Sequence, residues 1–350
     1  HRNGFHIPVY EVVLRKNGDS YRFCSNRLWA EKDMLPEGTR RAAVRPGGFV
    51  TLYTYEPATD VSERADASFV IVQNGDVCWN LPGWTKDNIR KAGTFVGVEG
   101  VDFQDFDGDG RTDILILCRY ESPGEEGRKD GLEARLYHCR AGKRPSLDVK
   151  TSRKINKNVG NLTLTSAAHY LRTGEAWGKF QDYREAYEAF VNEVPEDRYK
   201  GFALLNIEDG RLCELLMMGK DEQTGARIVS FHDGQIEEAQ ISRSFSYLRR
   251  LNLVCARRGR GDVFEETVYM FSGGALIAGQ RGIYGSLDRA QTSYREDGAP
   301  IYSYEWNGSP LSAQGYRDAR SFIYDERHAI RSDSITLLTK EEILKELKKE

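Results

Sequence analysis

The sequence predicts an α+β fold, mostly antiparallel β, in two domains. Short apolar and aromatic runs of strand length recur along the chain, and Asn-Gly or Asp-Gly pairs separate several of them, which is typical of β-hairpins. The 350 residues exceed what one hydrophobic core usually supports. We therefore expect a boundary near Arg172-Thr173-Gly174, which gives domains of residues 1–172 and 173–350.

Composition and charge argue against a nucleic-acid-binding or membrane-spanning protein. The chain contains 18 tyrosines and 34 glycines, which favour strands and turns over long helices. Its net charge of −3 gives no general attraction to nucleic acid or to an anionic membrane. No apolar run approaches the roughly 20 residues that span a bilayer. We therefore expect no nucleic-acid partner and no transmembrane segment.

The first domain is predicted to consist of hairpins that frame one acidic loop. Asn17-Gly18 predicts a hairpin over residues 8–22, and Asn74-Gly75 predicts another over residues 68–79. Residues 140–157 are basic and lack aromatic side chains, which favours a solvated loop over a nucleic-acid surface. The other expected elements are strands at 49–55, 95–103, 114–120 and 134–139, short helices at 85–92 and 160–172, and an exposed loop at 121–132.

The second domain is predicted to begin with an amphipathic helix at 182–194, in which aromatic residues recur at helical spacing before Pro195. Thr339 and Glu342 have the spacing of a capping box, which predicts a terminal helix at 339–350. Between these helices we expect strands at 202–205, 215–218, 226–231, 235–239, 252–256, 265–271, 275–282 and 302–306, and a helix at 312–325.

A loop between two predicted strands carries the clearest chemical signal. Its acidic residues alternate along the chain as Asp105, Asp107, Asp109 and Asp113. Calcium prefers about 6–8 hard oxygen ligands, and we expect the backbone carbonyl of Arg111 to supply one beside the four carboxylates. Without a cation, carboxylates this close would repel one another. An EF-hand would need a glutamate at Ile116 and a helix after the loop, whereas Ile116 lies in an apolar strand. The sequence therefore predicts a shorter calcium loop, with a metal-free acidic turn as the alternative.

This loop resembles a known family. Residues 101–117, with a D-x-D-G-D-G-x-x-D core followed by an apolar strand, resemble the calcium loop of FG-GAP and VCBS repeats, which occur in integrin-type propellers and many exported bacterial proteins. The wider stretch of about residues 68–139 resembles one such unit. The resemblance implies a propeller-blade-like unit, a structural calcium ion and export. Because the unit occurs once and a propeller needs several, we do not expect a complete propeller.

A second turn, residues 206–214, echoes the first. With the helix and strand before it, it resembles modules of uncharacterised exported proteins and lipoproteins of clostridia-like bacteria. Asn206 and Gly210 stand where acidic ligands would be needed, and Arg211 replaces a glycine. We therefore expect a plain hairpin turn with little or no metal. The resemblance implies no activity.

No catalytic constellation stands out in the sequence. The six histidines do not cluster, and neither a G-x-S-x-G elbow nor a P-loop is present. Glu208, Asp209 and Glu214 could imitate a glycosidase pair, but nothing places two of them across a cleft. The six cysteines are far apart, so we expect buried free thiols, with one or two disulfides as the alternative. Four tryptophans are expected to pack against turns, with a carbohydrate or peptide platform as the alternative: Trp79, Trp84, Trp177 and Trp306.

The leading interpretation is a non-enzymatic, exported or surface-attached bacterial protein with a structural calcium site, which binds an unknown extracellular ligand, either carbohydrate or protein. His1 is not a usual natural start, which suggests that a leader precedes the sequence and leaves lipoprotein-type anchoring open. The alternative is a secreted hydrolase that acts on cell-wall or dietary polymers.

Overall fold

The protein is built from antiparallel β-sheets, with five α-helices in the part of the chain that the structure describes. The computed structural model describes residues 10–17, 20–28, 40–44, 48–55, 67–73, 76–83, 94–121, 131–140, 144–210, 212–232, 234–260, 262–272, 274–286 and 301–349. The predicted β-rich α+β class is confirmed. The chain divides into two compact units, residues 1–178 and 179–350, while the predicted domain limits stay a prediction.

The described residues of the first unit form a two-stranded ribbon, two four-stranded sheets and two helices. Its strands are β1 (Tyr10–Asn17), β2 (Ser20–Leu28), β3 (Arg40–Val44), β4 (Gly48–Tyr55), β5 (Ser68–Gln73), β6 (Asp76–Asn80), β7 (Thr94–Gln104), β8 (Asp113–Glu121), β9 (Gly131–His138) and β10 (Ser146–Leu147), and its helices are α1 (Val149–Asn158) and α2 (Leu164–Thr173). Strands β1 and β2 pair with each other, β3 to β6 form one sheet in chain order, and β7 to β10 form the other.

The sheet β7–β10 is covered on both faces, because successive side chains of a strand point to opposite sides. Ile114 and Ile116 belong to a core that also contains buried residues of β3, β4 and β5. Leu115 and Leu117 pack in a second core with Ile155 of α1 and residues of α2. This double burial explains why the run from Ile114 to Cys118 is apolar without alternation.

The predicted solvated loop at residues 140–157 is wrong from residue 146 onward, since residues 146–147 form β10 and residues 149–157 form most of α1. Asp148 caps the helix by accepting a hydrogen bond from the Thr151 backbone N–H at 2.9 Å. Ser152 and Ile155 are the buried residues of α1, so its inner face is small and partly polar. Val149 and Ile155 are its only apolar residues, so its helical periodicity lies in the basic residues and no apolar stripe indicated the helix.

In its described part, the second unit forms a four-stranded sheet, a seven-stranded sheet and three α-helices. Its strands are β11 (Tyr199–Leu205), β12 (Glu214–Gly219), β13 (Ala226–His232), β14 (Gln235–Ile241), β15 (Ser244–Leu248), β16 (Leu253–Arg260), β17 (Val263–Ser272), β18 (Ala275–Gly285), β19 (Ser303–Trp306), β20 (Ser309–Leu311) and β21 (Ile330–Arg331), and its helices are α3 (Tyr183–Glu193), α4 (Ala313–Ile323) and α5 (Lys340–Leu347). Strands β11 to β14 form a meander, and the larger sheet has the order β20-β19-β18-β17-β16-β15-β21.

Three groups of buried residues hold the described part of this unit together. Leu216 and Met218 pack with Phe245 and Val254 in the core between its two sheets. Leu215 and Met217 are buried on the opposite face of β12, the side on which α3 and α5 pack. On the outer face of the larger sheet, a third group of buried residues joins α4 to strands β16 to β19: Cys255, Val268, Trp306 and Tyr316.

The helices of the second unit begin where their capping residues stand. Asp182 accepts hydrogen bonds from the Arg184 and Glu185 backbone N–H groups at the start of α3, and Thr339 and Glu342 form the predicted capping box of α5. The predicted helix at 85–92, both hairpin turns and residues 122–130 of the predicted loop lie outside the described residues.

The five cysteines whose side chains the structure describes are free thiols, and the sixth lies outside that set. Cys118 and Cys255 are buried, while Cys78, Cys139 and Cys213 are half-buried. Among the described helices, none combines the length and the apolar character that crossing a membrane requires.

Candidate metal centre

The acidic loop projects from the end of a β-hairpin. Gln104, the last residue of β7, pairs with Asp113, the first residue of β8, so residues 105–112 form the connection. Gly108 and Gly110 have φ values of 76° and 82°, a left-handed conformation that glycine adopts without a steric penalty. These two glycines allow the backbone to coil tightly around the aspartate side chains.

Asp105 organises the loop from its first position. Its Oδ1 accepts hydrogen bonds from the Gly108 and Asp109 backbone N–H groups at 2.7 and 3.1 Å, and its Oδ2 accepts one from the Gly110 N–H at 2.8 Å. Asp107 Oδ1 accepts one hydrogen bond, from the Asp109 N–H at 3.2 Å. Asp109 Oδ1 likewise accepts one from the Arg111 N–H at 2.9 Å. Because a carboxylate has about four acceptor sites, these groups can also bind a cation.

Asp113 closes the loop from the buried side. Its Oδ2 accepts a hydrogen bond from the Phe106 N–H at 3.2 Å, and its Oδ1 accepts one from the Cys139 N–H at 3.2 Å. The residue is only 1% exposed. Burial raises the pKa of Asp113 above its usual value, while the two backbone hydrogen bonds and His138 act in the opposite direction.

His138 is the functional candidate that the sequence reasoning missed. Its Nδ1 lies 3.4 Å from Asp107 Oδ2 and 3.3 Å from Asp113 Oδ2, and its Nε2 lies 3.2 Å from Asp148 Oδ2. Strand β9 brings it there, because Tyr137 pairs with Ile114 and so places His138 opposite Asp113. The sequence indicated both strands but not their register, since the Gly- and Glu-rich connection between them is too long for a turn type to determine it.

The ligand atoms fall into two overlapping groups. Asp105, Asp107 and Asp109 have carboxylate oxygens within 4.8 Å of one another, and Asp107 also belongs to a group with Asp113 and His138. The first group offers only hard oxygen donors, which fits calcium. The imidazole of the second group suits a transition metal better.

No group found among the described residues contains all four aspartates. The side chain of Arg111, whose carbonyl was the predicted fifth ligand, places its Nε 3.7 Å from Asp109 Oδ2. The assignment of Asp105, Asp107, Asp109, Arg111 and Asp113 as metal ligands stays a prediction.

The second turn has the same closing bond as the first. It connects β11 to β12 with the same number of residues, and Glu214 stands where Asp113 stands. Glu214 Oε2 accepts a hydrogen bond from the Ile207 N–H at 2.8 Å, as Asp113 does from Phe106. Glu208 then corresponds to Asp107, and Gly210 corresponds to Asp109. A buried carboxylate at the end of the turn is thus common to both units.

The second turn is held by protein groups. The Asp209 N–H donates to Asn252 Oδ1 at 2.9 Å, and the Asn206 and Ile207 carbonyls accept hydrogen bonds from the Arg250 and Asn252 N–H groups at 3.0 Å. Glu214 is 2% exposed, and desolvation by burial raises its pKa to about 7 in spite of the backbone hydrogen bonds it accepts. Both of its oxygens face the backbone of its own turn, which indicates a structural role.

A partly buried ionic network in the second unit was also missed from the sequence. Glu266, which is 2% exposed, accepts hydrogen bonds from Arg257 Nε at 2.8 Å, Arg320 Nη1 at 3.0 Å and the Tyr316 hydroxyl at 3.0 Å. Both arginines also bind Glu326. Two positive and two negative charges are therefore matched, and the network fixes α4 and the turn that follows it to the larger sheet.

The described tryptophans are packed. Trp79 is half-buried against the first core, Trp177 stacks on His169 with ring centroids 4.8 Å apart, and Trp306 is 7% exposed and contacts Tyr316 edge-on. Trp84 lies outside the described residues. The three rings are used within the fold, which favours the packing interpretation over a binding platform.

Comparison of the chain with protein-family models, with curated proteins and with solved structures gives no match.

Proposed function

We propose that the protein is an exported or surface-attached bacterial binding protein of non-enzymatic type, with a structural calcium ion in the loop of residues 105–113. The observation that carries the proposal is the group formed by Asp105, Asp107 and Asp109, whose carboxylate oxygens lie within 4.8 Å of one another on a glycine-wound loop. Such a group concentrates negative charge, which a divalent cation would neutralise.

The position of the loop supports a structural role for the ion. The loop joins β7 to β8, and β8 contributes residues to both cores of the first unit. A cation held there would fix the two strands at the end where the loop connects them and link folding to external calcium. Extracellular calcium-binding modules often have dissociation constants of about 10⁻⁴–10⁻³ M, so the calcium present outside cells can occupy them.

The family resemblance agrees with this role. Strands β5 to β9 span the stretch that resembles a single FG-GAP/VCBS-like unit, with the aspartate loop between β7 and β8. On this proposal the first unit contains one blade-like module, and export, with or without lipoprotein-type anchoring, places it where calcium is abundant. The extracellular ligand is then a carbohydrate or a protein.

The test is thermal unfolding with about 10 mM calcium and with EDTA. If the dissociation constant is about 10⁻⁴ M, calcium adds roughly 2.7 kcal/mol to the free energy of unfolding of the first unit. At roughly 2–4 °C per kcal/mol, the melting temperature should rise by roughly 5–10 °C. Asp107→Ala should abolish the rise, because it removes the carboxylate that both ligand groups share.

Glu208→Ala is the matched control, because Glu208 holds the same position in the second turn. This variant should keep the calcium response. A wild-type protein whose melting temperature is the same in calcium and in EDTA would refute the proposal. An equal loss of response in Asp107→Ala and Glu208→Ala would place the ion elsewhere.

A further inference from the structure

Helix α1 is fixed to the edge of strand β9 by its own side chains. Ser152 Oγ accepts a hydrogen bond from the Leu136 N–H at 3.0 Å. Asn156 binds both backbone groups of Ala134, accepting from its N–H at 2.7 Å and donating to its carbonyl at 3.0 Å. Polar side chains of the helix thus take the place of a neighbouring strand. This arrangement determines which face of α1 points outward.

The outward face of α1 carries only positive charge. Its basic residues are Lys150, Arg153, Lys154 and Lys157, all of them exposed. Their spacing of three, four and seven residues places them on one side of the helix, in a row roughly 10 Å long. Helix α1 contains no acidic residue. Among the described residues, none forms an ion pair with any of the three lysines.

This arrangement does not favour the helix itself. Lys150 and Lys154 are like charges four residues apart, as are Arg153 and Lys157, and such pairs destabilise a helix by a few tenths of a kcal/mol each. Lys150 also lies in the first turn, where the helix dipole disfavours a cation. An external anion would relieve both effects.

We propose that the basic row of α1 binds a linear acidic polysaccharide. A narrow row along the helix axis fits a chain-like polyanion, and lysines act as point charges that suit spaced carboxylates or sulfates. This inference deepens the proposed binding role by giving its ligand a chemical class and a surface. It rests on that role only for the expectation of an extracellular ligand.

Other anionic partners fit this surface less well. Single-stranded nucleic acid is usually bound with aromatic side chains on which the bases stack, and α1 contains none. The net charge of −3 also differs from the strongly basic balance of nucleic-acid-binding domains. A helix that enters a lipid surface needs an outward apolar face. The apolar residues Ile155 and Val159 instead face the protein core.

The experiment measures binding of the full chain to a fluorescently labelled heparin oligosaccharide and to polygalacturonate by anisotropy, from about 50 to about 300 mM salt. The test variant carries Lys150→Gln, Lys154→Gln and Lys157→Gln. Its control removes the same charge from exposed lysines of the other unit, through Lys179→Gln, Lys200→Gln and Lys220→Gln. A third variant replaces the lysines of α1 with arginine and so keeps the charge. Circular dichroism checks that each variant is folded.

We expect the wild type, the arginine variant and the control to bind alike. The α1 glutamine variant should bind at least about tenfold more weakly, and the slope of log affinity against log salt should fall by roughly two to three, since each lost contact releases about one counterion fewer. Equal binding by the glutamine variant and the control would overturn the proposal. Tighter, lysine-dependent binding of single-stranded RNA or of anionic lipid vesicles would also overturn it.

Binding is measured both in calcium and in EDTA, so the two proposals can fail separately. If lysine-dependent binding persists in EDTA and calcium does not change the melting temperature, the polysaccharide proposal is supported and the calcium proposal is refuted. If calcium raises the melting temperature as expected but neither polysaccharide binds, the calcium proposal is supported and the polysaccharide proposal is refuted.

Discussion

The buried carboxyl group of Glu214 should make the second unit less stable as the pH rises. Burial raises the pKa of Glu214 from its ordinary value of 4.5 to about 7. The carboxyl group is 2% exposed, so solvent screens it little. A group whose pKa is higher in the folded chain favours folding at low pH. Its contribution is complete below about pH 4.5 and is lost as the pH rises through about 7.

The size of the effect follows from the two pKa values. At about 1.36 kcal/mol for each pH unit between them, the loss from acid to alkaline pH is roughly 3 kcal/mol. Glu214→Gln keeps the side-chain shape and one acceptor for the Ile207 N–H, but it cannot ionise. The variant also loses an acceptor for the Glu208 N–H, which lowers its stability by about 1–2 kcal/mol at every pH.

The assay is urea unfolding from about pH 4.5 to about pH 8.5, followed by hydrogen exchange of peptides that cover residues 199–219. The wild type should lose roughly 3 kcal/mol relative to Glu214→Gln across this range, so the variant becomes the more stable protein at alkaline pH. Glu208→Gln, in the same turn, serves as the control and should follow the wild type. A difference between wild type and Glu214→Gln that stays constant with pH would refute the reasoning.

Two further changes test the packing of the second unit. Arg227 and Glu238, 2% and 0% exposed in their side chains, pair at 2.9 Å, so Arg227→Met should lower the free energy of unfolding by about 3–5 kcal/mol in urea titrations. Adding Glu238→Leu should recover most of the lost stability, because the second charge is then removed as well. A double variant as unstable as Arg227→Met alone would contradict this explanation. A Cβ at Gly282 would clash with the Tyr316 hydroxyl and the Trp306 ring, so Gly282→Ala should lower the free energy of unfolding by about 1–3 kcal/mol and change the fluorescence of Trp306. Gly210→Ala, which meets no atom closer than 3.8 Å, is its control, and equal effects of the two would count against the clash.

The sequence predicted the fold class because local signals agreed with the tertiary structure. Aromatic residues at helical spacing indicated α3, the capping box of Thr339 and Glu342 indicated α5, and alternating apolar runs marked most of the central strands. Helix α1 was missed because its buried face contains Ser152, whose contribution is a hydrogen bond to a strand edge. A hydrophobic pattern does not record that kind of contact.

The candidate site was only partly readable for a related reason. The alternating aspartates are a local signal, so the loop and its place between two strands could be predicted. His138 comes to the site through strand register, and Asp148 comes through the N-terminus of α1. Such long-range placement leaves no trace in the spacing of residues. The pairing of Glu214 with the backbone of its turn was likewise hidden, although its equivalence to Asp113 follows from the matching spacing.

The order in which the first unit covers its central sheet has a consequence for synthesis on the ribosome. Ile114 and Ile116 pack against strands that have already been synthesised. Leu115 and Leu117 are covered only after α1 and α2 have been synthesised. At about 5–20 residues per second, translation from Asp113 to Thr173 takes roughly 3–12 s. During that interval one apolar face of the nascent sheet is exposed to chaperones or to other chains. A polypeptide that ends before α1 would leave that face exposed permanently.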